Sequence, residues 1–149
     1  MTRHRIIPPI YFLAALLAAV GLHFYFPVWR VVPSPFNLSG GALIIVGLAL
    51  VVWAAGLFRA ARTPVRPFER STSVVTSGPY RFSRNPMYLG MVLVLVGVAV
   101  LFGSLAAFVP IPLFVWQIRR KFVLPEEAFL EELFGNPYVQ YKARVRRWL

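Results

Sequence analysis

The chain has 149 residues, 58% of them hydrophobic, with a mean hydropathy of +0.67 and a formal net charge of +11. Soluble domains carry about 45–50% apolar residues, and a single core of this size cannot hide the excess. The absence of cysteine excludes disulfides and thiolate sites, the separation of His4 from His23 argues against zinc or another metal, and basic residues beside long apolar runs fit a membrane surface rather than nucleic acid.

Three stretches lack Asp, Glu, Lys and Arg: residues 6–29, 31–58 and 85–118. A membrane span needs about 20 residues. The first stretch predicts a helix over about 9–26. It is long for a signal peptide and ends in Phe24-Tyr25-Phe26-Pro27, which is no small-residue cleavage site, so it is kept as a helix. The second stretch predicts a helix over about 40–58, after the turn-like segment at residues 33–37. The third is long enough for two spans, and Gly103-Ser104 marks its middle. A hairpin over about 86–102 and 105–122 follows, with Pro110 and Pro112 kinking its second arm.

Lys and Arg alternate in number between successive loops. Arg3 and Arg5 precede the first helix, and only Arg30 follows it. Arg59, Arg62, Arg66, Arg70, Arg81 and Arg84 follow the second, none lies at the hairpin tip, and Arg119, Arg120, Lys121, Lys142, Arg144, Arg146 and Arg147 follow the fourth. This pattern puts both termini and the large loop in the cytoplasm. Ala14/Ala18, Ala15/Ala19 and Ala99/Gly103 are small-residue pairs that let helices approach.

Between residues 59 and 84, Pro64, Pro67 and Pro79 predict an extended loop. After Phe122 come two short amphipathic helices. Pro125, Glu126 and Glu127 open the first, and Gly135 closes it. Asn136 and Pro137 open the second, where Tyr138, Tyr141, Val145 and Trp148 make one stripe of an interfacial helix facing anionic headgroups. The fold class is therefore an all-α integral membrane protein of one domain, with four transmembrane helices, a cytoplasmic proline-rich loop and a helical tail.

The most informative segment is residues 77–90, Ser-Gly-Pro-Tyr-Arg-Phe-Ser-Arg-Asn-Pro-Met-Tyr-Leu-Gly. Gly78-Pro79 is a turn. Pro86 pushes Asn85 out of the helical region, which lets Asn85 cap the third helix. The positive end of that helix then meets Arg81 and Arg84, a set of donors suited to an anion. A basic membrane anchor with a capped helix accounts for the same residues.

The segment resembles the signature of the membrane methyltransferases related to isoprenylcysteine carboxyl methyltransferase and phosphatidylethanolamine N-methyltransferase. In their pattern, G-x-Y-x-x-x-R-H/N-P-x-Y-x-G precedes a helical hairpin, an acidic pair and F-G-x-x-Y-x-x-Y. Here these are Gly78, Tyr80, Arg84, Asn85, Pro86, Tyr88 and Gly90, then Glu126-Glu127, Phe134-Gly135, Tyr138 and Tyr141. The resemblance covers about residue 72 onward and implies a bacterial inner-membrane enzyme that uses S-adenosyl-L-methionine on a lipophilic acceptor from the bilayer.

By position, the family's cofactor contacts fall on Thr72, Ser73, Val74, Val75, Tyr80, Asn85, Pro86, Met87, Tyr88 and Glu126, with Arg84 suited to the cofactor's carboxylate and Gly90, Tyr138 and Tyr141 completing the motifs. The resemblance also implies a catalytic setting at Glu126 and Glu127, either of which would be the base for an amine acceptor. Two departures stand out. Asn85 replaces the His of the prenylcysteine enzymes, and Phe122 occupies the place of their substrate-binding Arg, with Arg119 or Arg120 near enough to substitute. Carboxylate O-methylation, phospholipid N-methylation and a non-catalytic membrane subunit that kept the fold remain the alternatives, with a nicotinamide-dependent membrane reductase further off.

Overall fold

The computed structural model describes residues 7–62 and 74–149. Thr72 and Ser73, together with Arg3, Arg5, Arg66, Arg70, Pro64 and Pro67, lie outside the described residues. The helices are α1 Pro8–Tyr25, α2 Ser39–Ala60, α3 Pro86–Phe102, α4 Pro110–Ile118, α5 Leu124–Phe134 and α6 Asn136–Arg144. Three 3-10 turns, Phe36–Leu38, Gly78–Arg81 and Leu105–Phe108, and a π turn at Arg119–Val123 connect them. No strand occurs among the described residues, only an isolated bridge between Arg30 and Ser104.

By length and composition, Pro8–Tyr25 and Phe36–Ala60 suffice to cross a membrane, and Pro86–Phe102 is an apolar helix of 17 residues. The predicted span over 105–122 is divided. Its 3-10 turn ends at Phe108, and α4 begins at Pro110. Pro110 and Pro112 thus start the helix instead of kinking it, because the first-turn N–H groups that proline lacks would have no intrahelical partner anyway.

The expected break after Phe122 is also absent. Helical backbone angles run from α4 through the π turn into α5. Pro125 cannot bond back to Lys121, and the widened turn beside it absorbs that loss. The extra residue in the π turn resets the register, burying Phe122 and Val123 while Arg119, Arg120 and Lys121 face outward.

Helices α2 and α3 pack antiparallel along glycines seven residues apart, Gly40 and Gly47 on one and Gly97 and Gly90 on the other. A Cβ added at Gly47 would lie 2.6 Å from the Gly90 carbonyl oxygen, and one at Gly90 would lie 2.6 Å from that of Gly47. Ala54 and Ser83 continue the same spacing and are buried. Of the small pairs expected on α1, Ala15 and Ala19 are buried, whereas Ala14 and Ala18 are exposed. The core joins Ala15 of α1, Tyr88 and Leu95 of α3, and Phe114, Ile118, Phe122 and Val123.

At the far end of the bundle, Gly103 closes α3 in the left-handed conformation with φ 70°. Its carbonyl accepts from the amides of Val31 and Val32, and the Asn37 amide side chain donates to the Leu101 carbonyl at 3.0 Å. The His23 ring stacks on Phe102 and meets the Ser104 hydroxyl at 2.8 Å. The chain between α1 and α2 is thereby clasped to the hairpin tip.

Candidate functional site

A cavity opens at the start of α3. It encloses about 710 Å³ of empty space, including its mouth toward solvent, and is lined from the 3-10 turn, the first turn of α3, α5 and α6. Phe58 and Leu130 provide apolar wall, and Val123 closes the floor from the π turn. The sequence brings these elements together through the motif residues. Gly78 adopts φ 57°, which admits the turn that buries Tyr80. Tyr141 of α6 donates its hydroxyl to the Tyr80 carbonyl at 2.7 Å.

Charge in the cavity is organised around Glu127. Its carboxylate accepts a forked pair of hydrogen bonds from Arg147, from Nε at 2.9 Å and Nη2 at 2.8 Å. Arg84 Nη1 lies 3.3 Å away from the same carboxylate, with both side chains largely buried. The hydrogen bond to Glu127 raises the Arg147 pKa. Arg84 is close enough for an ion pair but not aligned for a hydrogen bond, and its Nε and Nη1 have no hydrogen-bond partner among the described residues. The Tyr80 hydroxyl is likewise buried without a partner, and burial holds its pKa above the usual phenol range. Tyr138 meets Arg84 through its hydroxyl and is pushed up to about 12, mainly by burial and then by the Glu127 charge.

Glu126 faces the same cavity. Its residue surface is only partly covered, yet protein surrounds the carboxyl, and burial pushes its pKa up to about 7. The Glu127 charge acts in the same direction, and the hydrogen bond from the Tyr88 hydroxyl opposes both. The arrangement thus offers guanidinium and phenol N–H and O–H groups without hydrogen bonds to an anionic group, tyrosine faces to a cation, and a carboxyl able to exchange a proton near neutrality.

Phospholipid methyltransferases are the family whose sequence model matches residues 36–137. The chain belongs to that family. It is 33% identical over 112 residues to the human protein-S-isoprenylcysteine O-methyltransferase, covering 69% of this chain and 39% of that protein. Against protein-S-isoprenylcysteine O-methyltransferase A of Arabidopsis thaliana the identity is 28% over 112 residues, covering 72% of this chain and 57% of the relative. A solved eukaryotic intramembrane Ras methyltransferase, an isoprenylcysteine carboxyl methyltransferase, superposes with a TM-score of 0.67 at 21% identity, over 92% of this chain and 50% of that one. That likeness is one of fold, and the chain spans 39–57% of the length of these three proteins.

Within this chain, the cavity gathers Val74, Val75, Tyr80, Arg84, Asn85, Pro86, Met87, Tyr88, Glu126, Glu127, Tyr138 and Tyr141. Three expectations for site residues meet a different placement. Gly90 lies in the α2–α3 seam, where its lack of a side chain is used for packing. Arg120 is exposed, its guanidinium 5.4 Å from the centroid of Trp116, and Arg119 is exposed as well. Neither of these arginines lines the cavity, because the π turn rotates them outward. Phe122 is buried against Tyr11 at 5.6 Å between ring centroids.

The capping expectations also change. Asn85 stands at the α3 start but makes no capping bond. Its side-chain amide donates instead to the Arg147 carbonyl at 3.1 Å. Gly135, not Asn136, holds the cap position of α6. Helix α6 stops at Arg144, so Val145 and Trp148 leave the stripe, and Tyr138 and Tyr141 turn inward to the cavity instead of outward to headgroups.

Arg147 closes the carboxyl-terminal motif together with Trp148, but the sequence gives it no role in the site. It sits in a run of four cations over residues 142–147 that looks like a solvated face. Its signal was the buried acid it pairs with, which no local pattern reveals.

The raised Glu126 pKa makes a prediction. Its folded value of about 7 exceeds the ordinary 4.5, so folding favours the protonated form. Stability from this group is therefore complete below pH 4.5, falls as pH rises through about 7, and is flat above. Each pKa unit corresponds to about 1.4 kcal/mol, so the loss is on the order of 3 kcal/mol. Glu126→Gln should remove that component from the pH dependence of thermal unfolding in detergent. A variant with the wild-type slope between pH 4.5 and 7 would show that Glu126 is solvated.

Proposed function

We propose that the chain is an integral membrane methyltransferase that uses S-adenosyl-L-methionine and acts on a lipophilic acceptor from the bilayer. The observation that carries the proposal is the pair of unsatisfied donors, the Arg84 guanidinium and the Tyr80 hydroxyl, buried in one cavity beside the α3 start. Arg84 Nε and Nη1 and the Tyr80 hydroxyl make no hydrogen bond among the described residues and suit the carboxylate of such a cofactor. Tyr88, Tyr138 and Tyr141 add aromatic faces for a sulfonium. When bound, the cofactor supplies an electrophilic methyl group. The family membership and the isoprenylcysteine methyltransferases among the relatives support this reading.

In the membrane, α1 and α2 span outright. We place α3 and the rod from α4 to the π turn as the other two spans, with the cation-rich end in the cytoplasm. Among the described cations, only Arg30 lies at the opposite end, beside the hairpin tip. The cavity then sits at the cytoplasmic surface, where the cofactor enters from water and the acceptor from lipid.

The protein's contribution is positioning and exclusion of water. Arg84 and Tyr80 bind the anionic group, and Phe58, Val123 and Leu130 keep the acceptor's path apolar. A carboxylate acceptor, as in isoprenylcysteine O-methylation, arrives ready to react and needs no base. A second reading, N-methylation of a lipid amine, is favoured by Glu126. A carboxyl with a pKa near 7 in the cavity can take the ammonium proton. The burial of Phe122 where prenylcysteine enzymes carry an arginine adds weight to that reading.

Calorimetry in detergent should show binding of S-adenosyl-L-methionine or its demethylated product. Arg84→Ala should weaken binding by about 1.5–3 kcal/mol, the scale of a hydrogen bond to a charged group. Labelled cofactor with a lipid extract should then yield an organic-soluble methylated product, and base lability would separate an ester from an amine. No binding by the folded wild-type protein would leave the fold without this activity.

A further inference from the structure

The residue that keeps Arg84 available is Arg147. Two guanidinium groups share the Glu127 carboxylate unequally: Arg147 holds both oxygens in a forked, aligned pair, and Arg84 stands at 3.3 Å with Nε and Nη1 unbonded. A buried carboxylate takes the best-aligned cation within reach. Removing the Arg147 side chain would leave Glu127 with Arg84 as its nearest cation, and a short rotation would close that pair. The Arg84 N–H groups that now make no hydrogen bond would then be spent inside the protein.

The backbone around Arg147 is anchored separately. Its carbonyl accepts from Asn85 Nδ2 at 3.1 Å and from Ser83 Oγ at 3.3 Å. The Arg84 amide donates to the Arg146 carbonyl at 3.0 Å. The segment after α6 is therefore strapped across the α3 start by main-chain contacts that a side-chain substitution leaves intact. Backbone anchoring and side-chain charge are carried by different atoms of one residue and can be tested apart.

We infer that Arg147 is a positioning residue that neutralises Glu127 so that Arg84 stays free to bind the anionic group of the ligand. The inference rests on the cofactor reading above and names the residue that tunes that site. The net charge of the Arg84–Glu127–Arg147 cluster is +1, and this surplus is presented to the cavity by Arg84. Without Arg147 the cluster is neutral.

The test is calorimetric binding of S-adenosylhomocysteine to the full chain in detergent, at a temperature where each variant retains native circular dichroism. Arg147→Gln should raise Kd about tenfold. Arg147→Lys, which restores the countercharge without the fork, should recover most of the affinity. Arg147→Gln combined with Glu127→Gln releases Arg84 again and should bring Kd back to within about threefold of wild type. Wild-type Kd in Arg147→Gln would overturn the inference while leaving the cofactor reading intact. So would equal weakening in the Gln and Lys variants, or no recovery in the double variant, either of which marks a purely structural role. Should Arg147→Gln not fold, a wild-type-like Kd for Arg147→Lys supports the inference and a tenfold loss overturns it. No binding by the wild-type protein would overturn the cofactor reading and this inference with it.

Discussion

Glu127→Ala is expected to lower folding stability by about 3–5 kcal/mol, the scale for removing one partner of a buried ion pair. Glu127 is 5% exposed and answers two guanidinium groups. Without it, Arg84 and Arg147 face each other across a desolvated gap with no anion between them. Arg147 can swing toward water, its side chain being 28% exposed, but Arg84 at 8% cannot. The strap after α6 should hold, because it reaches the α3 start through the main-chain carbonyls of Arg146 and Arg147.

The comparison with Glu126 sharpens the expectation. Glu127 points about 100° away from Glu126 around the helix, and the two substitutions should differ on stability. Glu126→Gln removes a charge that burial disfavours, so at pH 8 it should be neutral or stabilising, while Glu127→Gln breaks a satisfied network. Thermal unfolding in detergent at pH 8 reads both. A Glu127→Gln protein within about 0.5 kcal/mol of wild type, the ordinary range for surface changes, would mean the cluster is solvated and carries no folding energy.

Gly90→Leu is expected to be comparably severe, through the α2–α3 seam. Even the first added carbon would meet the Gly47 carbonyl at 2.6 Å and the Val51 side chain at 2.7 Å. Neither helix backbone can yield without parting the whole interface, since Gly40 and Gly97 make the same close approach one heptad away. Overpacking of this kind costs about 1–3 kcal/mol and occasionally more, and for leucine the upper part of that range is expected. Gly41 and Gly56 are internal controls. They lie on α2, the helix that packs against Gly90, with nothing within 4 Å of an added Cβ. Gly41→Ala and Gly56→Ala should be neutral or stabilising by a few tenths of a kcal/mol, because alanine is the better helix former. Opposite signs for Gly90 and Gly56 would locate the seam. Equal tolerance at both would mean that α2 and α3 are not in backbone contact.

What the sequence determined by itself was mostly local or periodic. Apolar runs without charge located α1, α2 and α3, and α3 begins at Pro86 and ends at Phe102 as predicted, because proline and glycine punctuate a helix through their own backbone chemistry. The motif at residues 77–90 and the pairs Glu126-Glu127 and Tyr138/Tyr141 marked the cavity wall before any packing was known. The tertiary structure decided what depends on contacts distant in sequence. Gly90 serves the seam because Gly47 lies opposite it, and Glu127 is an ion-pair hub because Arg147 returns to it across 20 residues. The π turn shows the same limit. One extra residue in a helical turn leaves no compositional trace, yet it carries Arg119 and Arg120 out of reach of the cavity and seats Phe122 in the core. Register is set by which face finds a partner, and that partner is supplied only by the folded chain.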